Sequence, residues 1–372
     1  MSEITNEITN EIKKRRTFAI ISHPDAGKTT LTEKFLLYGG AINLAGSVKG
    51  KATARHAVSD WMEIEKERGI SVTSSVLQFN YGGYCINILD TPGHQDFSED
   101  TYRTLMAADS AVMVIDASKG VEAQTRKLFK VCVMRHIPIF TFINKLDREA
   151  KDTFELLDDI EKELGIATCP INWPIGSGKE FKGVYDRAKR EVELFSDTKK
   201  GTAMGEVKMI PIDAPETEEL IGAEAKDILA DEIELLDGAA AEFDQELVDK
   251  GQLSPVFFGS ALTNFGVETF LKHFLKMTTS PLPRKSDHGE IDPMTEKDFS
   301  AFVFKIQANM NKAHRDRIAF MRICSGEFEA GMDVFHMQGG KKVRLSQPQQ
   351  MMASERHMVD KAYGGDIIGV FD

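Results

Sequence analysis

The sequence predicts an α/β protein with a mostly parallel sheet, helices on both faces, and a smaller antiparallel β-barrel after it. Between residues 17 and 258, short runs that are apolar throughout alternate with stretches of helical spacing. Such strands are typical of a parallel sheet that is covered on both sides. After residue 284 the pattern changes to short alternating runs with glycine turns, which predicts a barrel.

The predicted elements follow this alternation in order. Predicted sheet strands are 17–21, 84–89, 111–115, 139–143 and 255–258, and predicted helices are 29–37, 98–107, 125–135 and 154–164. Between about residues 155 and 250 the alternation breaks, so we expect an inserted subdomain there, with an acidic helical part at 213–249. Predicted barrel strands are 299–307, 317–325, 332–337 and 341–345.

The domain organisation follows from these patterns. We expect a flexible lead-in at 1–15, a first domain at 16–280 that contains the insertion, and a barrel domain at 281–372. The segment SPLPR at 280–284 is typical of a stiff linker between domains. Because the sequence stops inside a predicted strand at 367–372, we expect an incomplete barrel and a chain that is a fragment.

Composition excludes several classes of protein. Among 372 residues, 42% are hydrophobic and no apolar stretch is long enough to span a bilayer, so no membrane role is expected. Four cysteines without ligand spacing argue against a disulfide framework or a zinc site and favour the cytoplasm. Residues 151–250 hold 12 Lys/Arg and 26 Asp/Glu, a charge of −14. The whole-chain charge is −12, so the other 272 residues carry 34 Lys/Arg against 32 Asp/Glu, a charge of +2. Those segments therefore do not exclude an RNA partner.

The first chemical motif follows the first predicted strand. Residues 22–29, SHPDAGKT, fit the phosphate loop G-x-x-x-x-G-K-[ST] except for the first glycine; a turn with GKT by chance is the alternative. Lys28 would neutralise phosphate oxygens and the Thr29 hydroxyl would bind Mg²⁺. For Asp25 we leave two roles open, help in holding a monovalent cation and capping of the following helix. The predicted nucleotide contacts here are Ser22, His23, Pro24, Asp25, Ala26, Gly27, Lys28, Thr29 and Thr30.

The second motif, DTPGH, follows the strand at 84–89 and consists of Asp90, Thr91, Pro92, Gly93 and His94. A carboxylate at the end of such a strand is placed to hold Mg²⁺, so Asp90 is a predicted metal ligand. Gly93 allows its N–H to approach a γ-phosphate closely, and His94 would lie near the attacking water. A histidine in a surface loop is the alternative for His94.

The third and fourth motifs indicate recognition of guanine. Asn144, Lys145 and Asp147 form NKxD after the strand at 139–143. The Asp147 carboxylate can accept hydrogen bonds from two N–H groups of guanine, and adenine lacks that pair of donors. After the strand at 255–258, backbone N–H groups at Ser260 and Ala261 could read the guanine O6.

The order of the four motifs is the strongest signal. Each follows an apolar strand, in the order phosphate loop, Mg²⁺ turn, base reader and base support. This order predicts a guanine-nucleotide switch that binds GTP or GDP with Mg²⁺. Between the first two motifs, Ser71 is our candidate hydroxyl for closing over Mg²⁺ and Thr73 the second; an exposed strand is the alternative interpretation.

These residues resemble the translational GTPases, the family of elongation factor G. The marks of that family are HPDAGKTT at 23–30, RGIS at 68–71, DTPGH at 90–94 and NKxD at 144–147. Members of that family also lack the first phosphate-loop glycine. Stretches outside these motifs, at 173–185 and 302–322, resemble the branch that acts in translation termination, and the resemblance covers nearly all of the chain after residue 15.

The resemblance implies a P-loop GTPase domain, a barrel, and a third domain that this sequence lacks. It implies a GTPase, slow alone and stimulated by the ribosome, that recycles stop-codon-reading release factors after peptide release. Lys28, Gly93 and His94 would be the catalytic residues, with His94 moved into place by ribosomal RNA. The implied partners are the ribosome and the release factors, with no membrane and no DNA, and a monomer in the cytoplasm is expected.

Two alternatives remain open at this point. The chain could be a ribosomal GTPase closer to elongation factor G itself, although the stretches at 173–185 and 302–322 argue against it. It could also be a nucleotide-binding fragment that no longer docks on the ribosome. A P-loop ATPase or kinase is disfavoured by Asn144 and Asp147.

Overall fold

The computed structural model describes residues 3–40, 75–91, 98–195, 207–308, 317–346, 348–352 and 355–371. The helices are α1 (Glu3–Lys13), α2 (Lys28–Tyr38), α3 (Ser98–Leu105), α4 (Ala123–Met134), α5 (Thr153–Leu164), α6 (Pro215–Ile221), α7 (Ala223–Ala239), α8 (Gln245–Asp249) and α9 (Val267–Met277). Strands of the first domain are β1 (Arg15–Ser22), β2 (Ser75–Tyr81), β3 (Tyr84–Asp90), β4 (Ser110–Asp116), β5 (Ile139–Asn144), β6 (Ala167–Pro170), β7 (Asn172–Ile175), β8 (Gly183–Asp186), β9 (Glu191–Phe195), β10 (Val207–Pro211) and β11 (Leu253–Phe258). Strands after it are β12 (Arg284–Ser286), β13 (Gly289–Ile291), β14 (Ser300–Ala308), β15 (Arg317–Ser325), β16 (Glu327–Glu329), β17 (Asp333–His336), β18 (Lys341–Arg344), β19 (Gln349–Met352), β20 (Glu355–Met358), β21 (Lys361–Tyr363) and β22 (Ile367–Phe371).

The first domain is built on a seven-stranded sheet of order β2-β3-β1-β4-β5-β11-β6. All neighbouring strands run parallel except β2, which pairs with β3 in the antiparallel sense. Successive residues of β1 face opposite sides of the sheet, so Phe18 packs in one core with α2 and α9, and Ala19 in the other with α4 and α5. Every residue of β4 is buried, as expected for a strand that is covered on both faces. The predicted fold class is confirmed.

The insertion has a sheet of its own. Strands β7 to β10 form an antiparallel sheet of order β10-β9-β8-β7, and helices α6 to α8 follow it. The acidic helix α7 buries Leu229, Ile233 and Leu236, which lie on one face, and leaves many of its acidic residues exposed. Trp173 of β7 is fully buried against Phe258 of the main sheet, with 5.3 Å between ring centroids.

The C-terminal region consists of antiparallel sheets. The largest has the order β14-β15-β22-β19-β20, and three short pairs, β12 with β13, β16 with β21 and β17 with β18, complete the described part. Its core includes Ile323, Phe328, Ala362 and Ile368. Among the described residues, no helix is long and apolar enough to cross a membrane.

Residues 3–13 differ from the expected flexible lead-in, because they form the helix α1. Ile8 and Ile12 are four residues apart and lie on one helix face, and Ile12 is buried. Glu11 of the same helix pairs with Arg15 at 2.6 Å. The ITNE repeat therefore supplies an apolar stripe that anchors the helix.

Candidate nucleotide-binding site

The described parts of the four predicted motifs lie at one edge of the central sheet. Strands β1, β3, β5 and β11 are parallel members of that sheet, and each motif follows the carboxyl end of one of them. Carboxyl ends of parallel strands face the same edge, which is where ligands bind in such folds. The fold therefore collects segments that are separated by up to about 240 residues in the sequence.

The backbone of the phosphate loop passes close to the side chain of Asn144. Gly27, with φ of 102°, precedes helix α2, and a side chain there would clash with the amide of Asn144. Asn144 Nδ2 donates a hydrogen bond to the Ala26 carbonyl at 2.9 Å. Glycine is therefore required at this position both by its conformation and by the packing of the base-reading motif.

Lys28 and Asp90 join the first motif to the second. The Lys28 ammonium donates to one oxygen of the Asp90 carboxylate, and both side chains are buried. Thr91 Oγ1 donates to the Ile20 carbonyl at 2.6 Å, which fixes the chain after β3 against β1. The second oxygen of Asp90 is buried and has no hydrogen-bond partner. That oxygen is available to a cation.

The residues at this position fit Mg²⁺. The ion is commonly held by one or two protein oxygens together with substrate phosphates, and Asp90 and Thr29 offer a carboxylate and a hydroxyl next to the phosphate loop. No group of three or more His, Cys, Asp or Glu side chains suited to a metal occurs among the described residues. A site that relies on phosphate oxygens does not need such a group.

The base-reading and base-support motifs are bonded to each other. Asn144 Oδ1 accepts a hydrogen bond from the Ala261 N–H at 2.8 Å, so this side chain connects the phosphate loop to the fourth motif. Asp147 Oδ1 accepts a hydrogen bond from Ser260 Oγ at 2.6 Å. Ser260 thus orients the carboxylate that is predicted to read guanine.

Lys145 lies across the phosphate loop. Its backbone has φ of 73°, and its ammonium donates to the Asp25 carbonyl and to Asp116 Oδ2, the latter at 2.6 Å. Asp25 is exposed and has φ of 64°. The left-handed conformation of two non-glycine residues in contacting loops is unusual and typical of functional sites.

A fifth loop, residues 116–122, belongs to this edge and was missed from the sequence. It follows β4, and it contacts the phosphate-loop region through Lys145 and through His23, whose Nε2 lies 3.5 Å from Glu122 Oε1. The available signal was Asp116 itself, a carboxylate directly at the end of an apolar strand. This is the same signal that identified Asp90.

Ser71, Thr73, Pro92, Gly93 and His94 lie outside the described residues. The structure brings together Ala26, Gly27, Lys28, Asp90, Asn144, Lys145, Asp147, Ser260 and Ala261 through the contacts above. The catalytic role of His94 and the metal-binding role of Ser71 stay predictions.

Comparison with known proteins gives the class of the chain. Residues 13–280 match the model of the elongation factor Tu GTP binding domain, and residues 298–372 match elongation factor G domain 2. A crystal structure from Thermus thermophilus superimposes with a TM-score of 0.75 at 25% identity, over 96% of this chain and 52% of that chain. The chain thus belongs to the class of translational GTPases. This confirms the GTPase that was predicted from the sequence.

More similar relatives define the branch. The chain is 65% identical to peptide chain release factor 3 of Symbiobacterium thermophilum, over 99% of this chain and 69% of that protein. It is 56% identical to the protein of the same name from a Cyanothece species, over 99% of this chain and 68% of that protein. The chain belongs to the peptide chain release factor 3 family. It spans about two thirds of the length of these relatives and about half of the solved one.

Proposed function

We propose that this chain is the nucleotide-hydrolysing part of a ribosome-associated GTPase of translation termination. In this role GTP binding and hydrolysis drive the recycling of stop-codon-reading release factors from the ribosome after peptide release. The observation that carries the proposal is the set of hydrogen bonds that links the phosphate loop, the base reader and the base support into one site. The family of the chain supports the assignment to termination.

Each group of the site has a stated task in this proposal. The phosphate-loop amides and Lys28 neutralise the phosphates, and the Asp147 carboxylate selects guanine. Thr29, Asp90 and Ser71 would hold Mg²⁺, which when bound stabilises charge on the phosphate oxygens. His94 would orient the attacking water, and the N–H of Gly93 would approach the γ-phosphate.

Such a site needs outside help to hydrolyse GTP quickly. Unassisted GTPases can turn over as slowly as about 10⁻⁴ per second, and completion of the site by a partner can raise the rate by about 10⁵-fold. We infer that the ribosome, through its RNA and proteins, is this partner and that the chain acts as a monomer in the cytoplasm.

The test is GTP turnover by this chain with and without purified ribosomes, together with binding of GDP. We expect slow turnover alone and an increase by orders of magnitude with ribosomes. In the variant His94→Ala, GTP binding is expected to stay intact while stimulated turnover is lost, because only the water-positioning group is removed. Full stimulated turnover by that variant would contradict the role of His94.

The outcomes separate the alternatives. Tight GDP binding without stimulation would indicate a sound nucleotide site in a fragment that does not dock, consistent with its share of the relatives' length. Stimulation without any effect on release-factor turnover at stop codons would favour an activity closer to that of elongation factor G. Absence of both binding and turnover would contradict the guanine-nucleotide site.

A further inference from the structure

The loop of residues 116–122 is held in one conformation by its own hydrogen bonds. The N–H and the hydroxyl of Ser118 donate to Asp116 Oδ1 at 2.9 and 2.7 Å, and the N–H groups of Lys119 and Gly120 donate to the Asp116 carbonyl at 3.0 and 2.9 Å. Gly120 has φ of 77°, and a side chain there would clash with the Asp159 carboxylate. The turn therefore presents the remaining Asp116 oxygen in a fixed direction.

That oxygen is bonded to the lysine of the base-reading motif. Asp116 Oδ2 accepts a hydrogen bond from Lys145 Nζ at 2.6 Å, in an ion pair whose side chains are 5% and 15% exposed. Burial by itself would raise the pKa of Asp116, but hydrogen bonds from Lys145 and Ser118 outweigh it and lower this pKa below the ordinary value. The carboxylate is therefore ionised at neutral pH.

The same lysine also holds the phosphate loop. Lys145 Nζ donates to the carbonyl of Asp25, so one ammonium bridges the 116–122 loop and the phosphate loop. A second link lies at the other end of the 116–122 loop, where Glu122 is 3.5 Å from His23 and 3.6 Å from Lys119. The loop thus reaches both sides of the turn that precedes Gly27.

We propose that Asp116 is a positioning residue for nucleotide binding, which holds Lys145 across the phosphate loop and thereby slows the release of GDP. This inference rests on the proposed function, because it assigns a role within the same nucleotide site. An ammonium that is held on two sides keeps the Asp25 carbonyl, and with it the loop amides, in place before the phosphates arrive. Such preorganisation strengthens binding because less conformational freedom is lost when the ligand binds.

The decisive variant is Asp116→Asn. Its amide oxygen can still accept the bonds from Ser118, but the charge that holds Lys145 is lost. Measured with fluorescent N-methylanthraniloyl-GDP, release is expected to be about tenfold faster and affinity about tenfold weaker, a change of about 1.4 kcal/mol. Asp116→Glu, which retains the charge, should release GDP at a rate closer to that of the unchanged chain. Asp158→Asn, which removes an exposed ion pair with Lys162, is the matched control and should change nothing.

A double-mutant cycle separates positioning from a general structural effect. In a Lys145→Ala background, Asp116→Asn should add less than about twofold to the release rate, because both changes remove the same interaction. If the two substitutions accelerate GDP release independently, so that their effects on the rate multiply, the inference is overturned. An unchanged rate of GDP release in Asp116→Asn would also overturn it. In either case, tight GDP binding by the unchanged chain would leave the proposed function intact. If the unchanged chain binds no GDP, the proposed function itself fails. Should Asp116→Asn not fold, Lys145→Ala removes the same ion pair from its other partner, and unchanged GDP release in that variant would also overturn the inference.

Discussion

Buried carboxylates at the two edges of the central sheet differ in how fully they are bonded within the protein. At the carboxyl edge, Asp90 keeps one buried oxygen without a hydrogen-bond partner, and Asp147 accepts a hydrogen bond from Ser260 alongside the position predicted for guanine. At the amino edge, the Asp109 carboxylate accepts hydrogen bonds from Arg284 at 3.1 Å and from Arg322 at 2.8 Å. At the first edge one oxygen of Asp90 remains available to a ligand, whereas at the second edge the Asp109 carboxylate is bonded to two arginines of the protein.

The amino edge is where the barrel contacts the first domain. Arg15 of β1 donates to Asp366 of the barrel at 3.1 Å, and Asn87 Nδ2 of β3 donates to Asp366 Oδ1 at 3.3 Å. Strand β3 therefore begins near the barrel and ends at Asp90 in the nucleotide site. One strand thus connects a ligand-binding edge to a structural edge, and substitutions can change each edge separately.

The largest expected effect is on stability, from Arg322→Met at the amino edge. Arg322 is 1% exposed, and its loss removes a cation from the buried carboxylate of Asp109. Breaking a buried pair by removing one partner costs about 3–5 kcal/mol, and because Arg284 remains bonded to Asp109 we expect the lower part of this range. Denaturant unfolding should show a loss of this size.

The matched control for this change is Arg126→Met. Arg126 forms an ion pair with Glu163 in which both side chains are 40% exposed, so its loss should cost less than about 1 kcal/mol. GDP affinity in folded Arg322→Met should remain within about twofold of the unchanged chain. Equal destabilisation by the two changes would contradict the distinction between the edges.

The second largest effect is on binding, from Asp147→Asn at the carboxyl edge. Two charge-assisted hydrogen bonds to guanine are lost, so the affinity for GDP should fall by about a hundredfold or more, about 3 kcal/mol. Xanthine carries a carbonyl where guanine carries its amino group, so xanthosine diphosphate should regain affinity for this variant. Titration calorimetry with both nucleotides measures the change. Undiminished GDP binding by Asp147→Asn would mean that this carboxylate does not read the base.

The third prediction concerns a buried carboxyl group at neither edge. Glu193 of β9 accepts a hydrogen bond from Thr269 of α9, and burial, with Asp186 and Glu268 nearby, raises its pKa from 4.5 to about 7. Between these two pH values the folded chain holds a proton that the unfolded chain has lost. The free energy of unfolding should therefore fall as the pH rises from about 4.5 to 7 and then level off.

Glu193→Gln should abolish this part of the pH dependence. The variant should be more stable than the unchanged chain at pH 8, by about 2–3 kcal/mol, and about equal to it at pH 4. Urea unfolding at both pH values measures the difference. A difference in stability that does not change with pH would show that Glu193 does not titrate in this range.

The features that could be predicted from the sequence are those that depend on a pattern of neighbouring residues. The strand ending at Ser22 and the one ending at Asp90 are apolar runs followed by a polar motif, and such a pattern is recognisable within a few residues. Because parallel strands end at one edge, the order of the motifs also placed them together. The guanine specificity predicted from Asn144 and Asp147 stays a prediction, and the structure shows only that both side chains are bonded to the neighbouring motifs.

The features that were missed depend on pairing between distant residues. Asp116 and Lys145 are 29 residues apart, and Asp109 and Arg322 are 213 apart, so no local pattern pairs them. For residues 1–14 the sequence predicted at most a loosely helical lead-in. The apolar face of α1 was missed because it consists of only Ile8 and Ile12 among the described side chains. Burial of that stripe depends on the barrel, as Gly364 next to Ile12 indicates.

We propose above that the loops at the carboxyl edge form one site selective for guanine nucleotides. Titration calorimetry of the unchanged chain with GDP and with ADP, each with Mg²⁺, tests it most directly. We predict saturable binding of GDP at one site and binding of ADP at least about a hundredfold weaker, because adenine cannot satisfy the Asp147 carboxylate. Equal affinity for the two nucleotides, or binding of neither, would contradict the account.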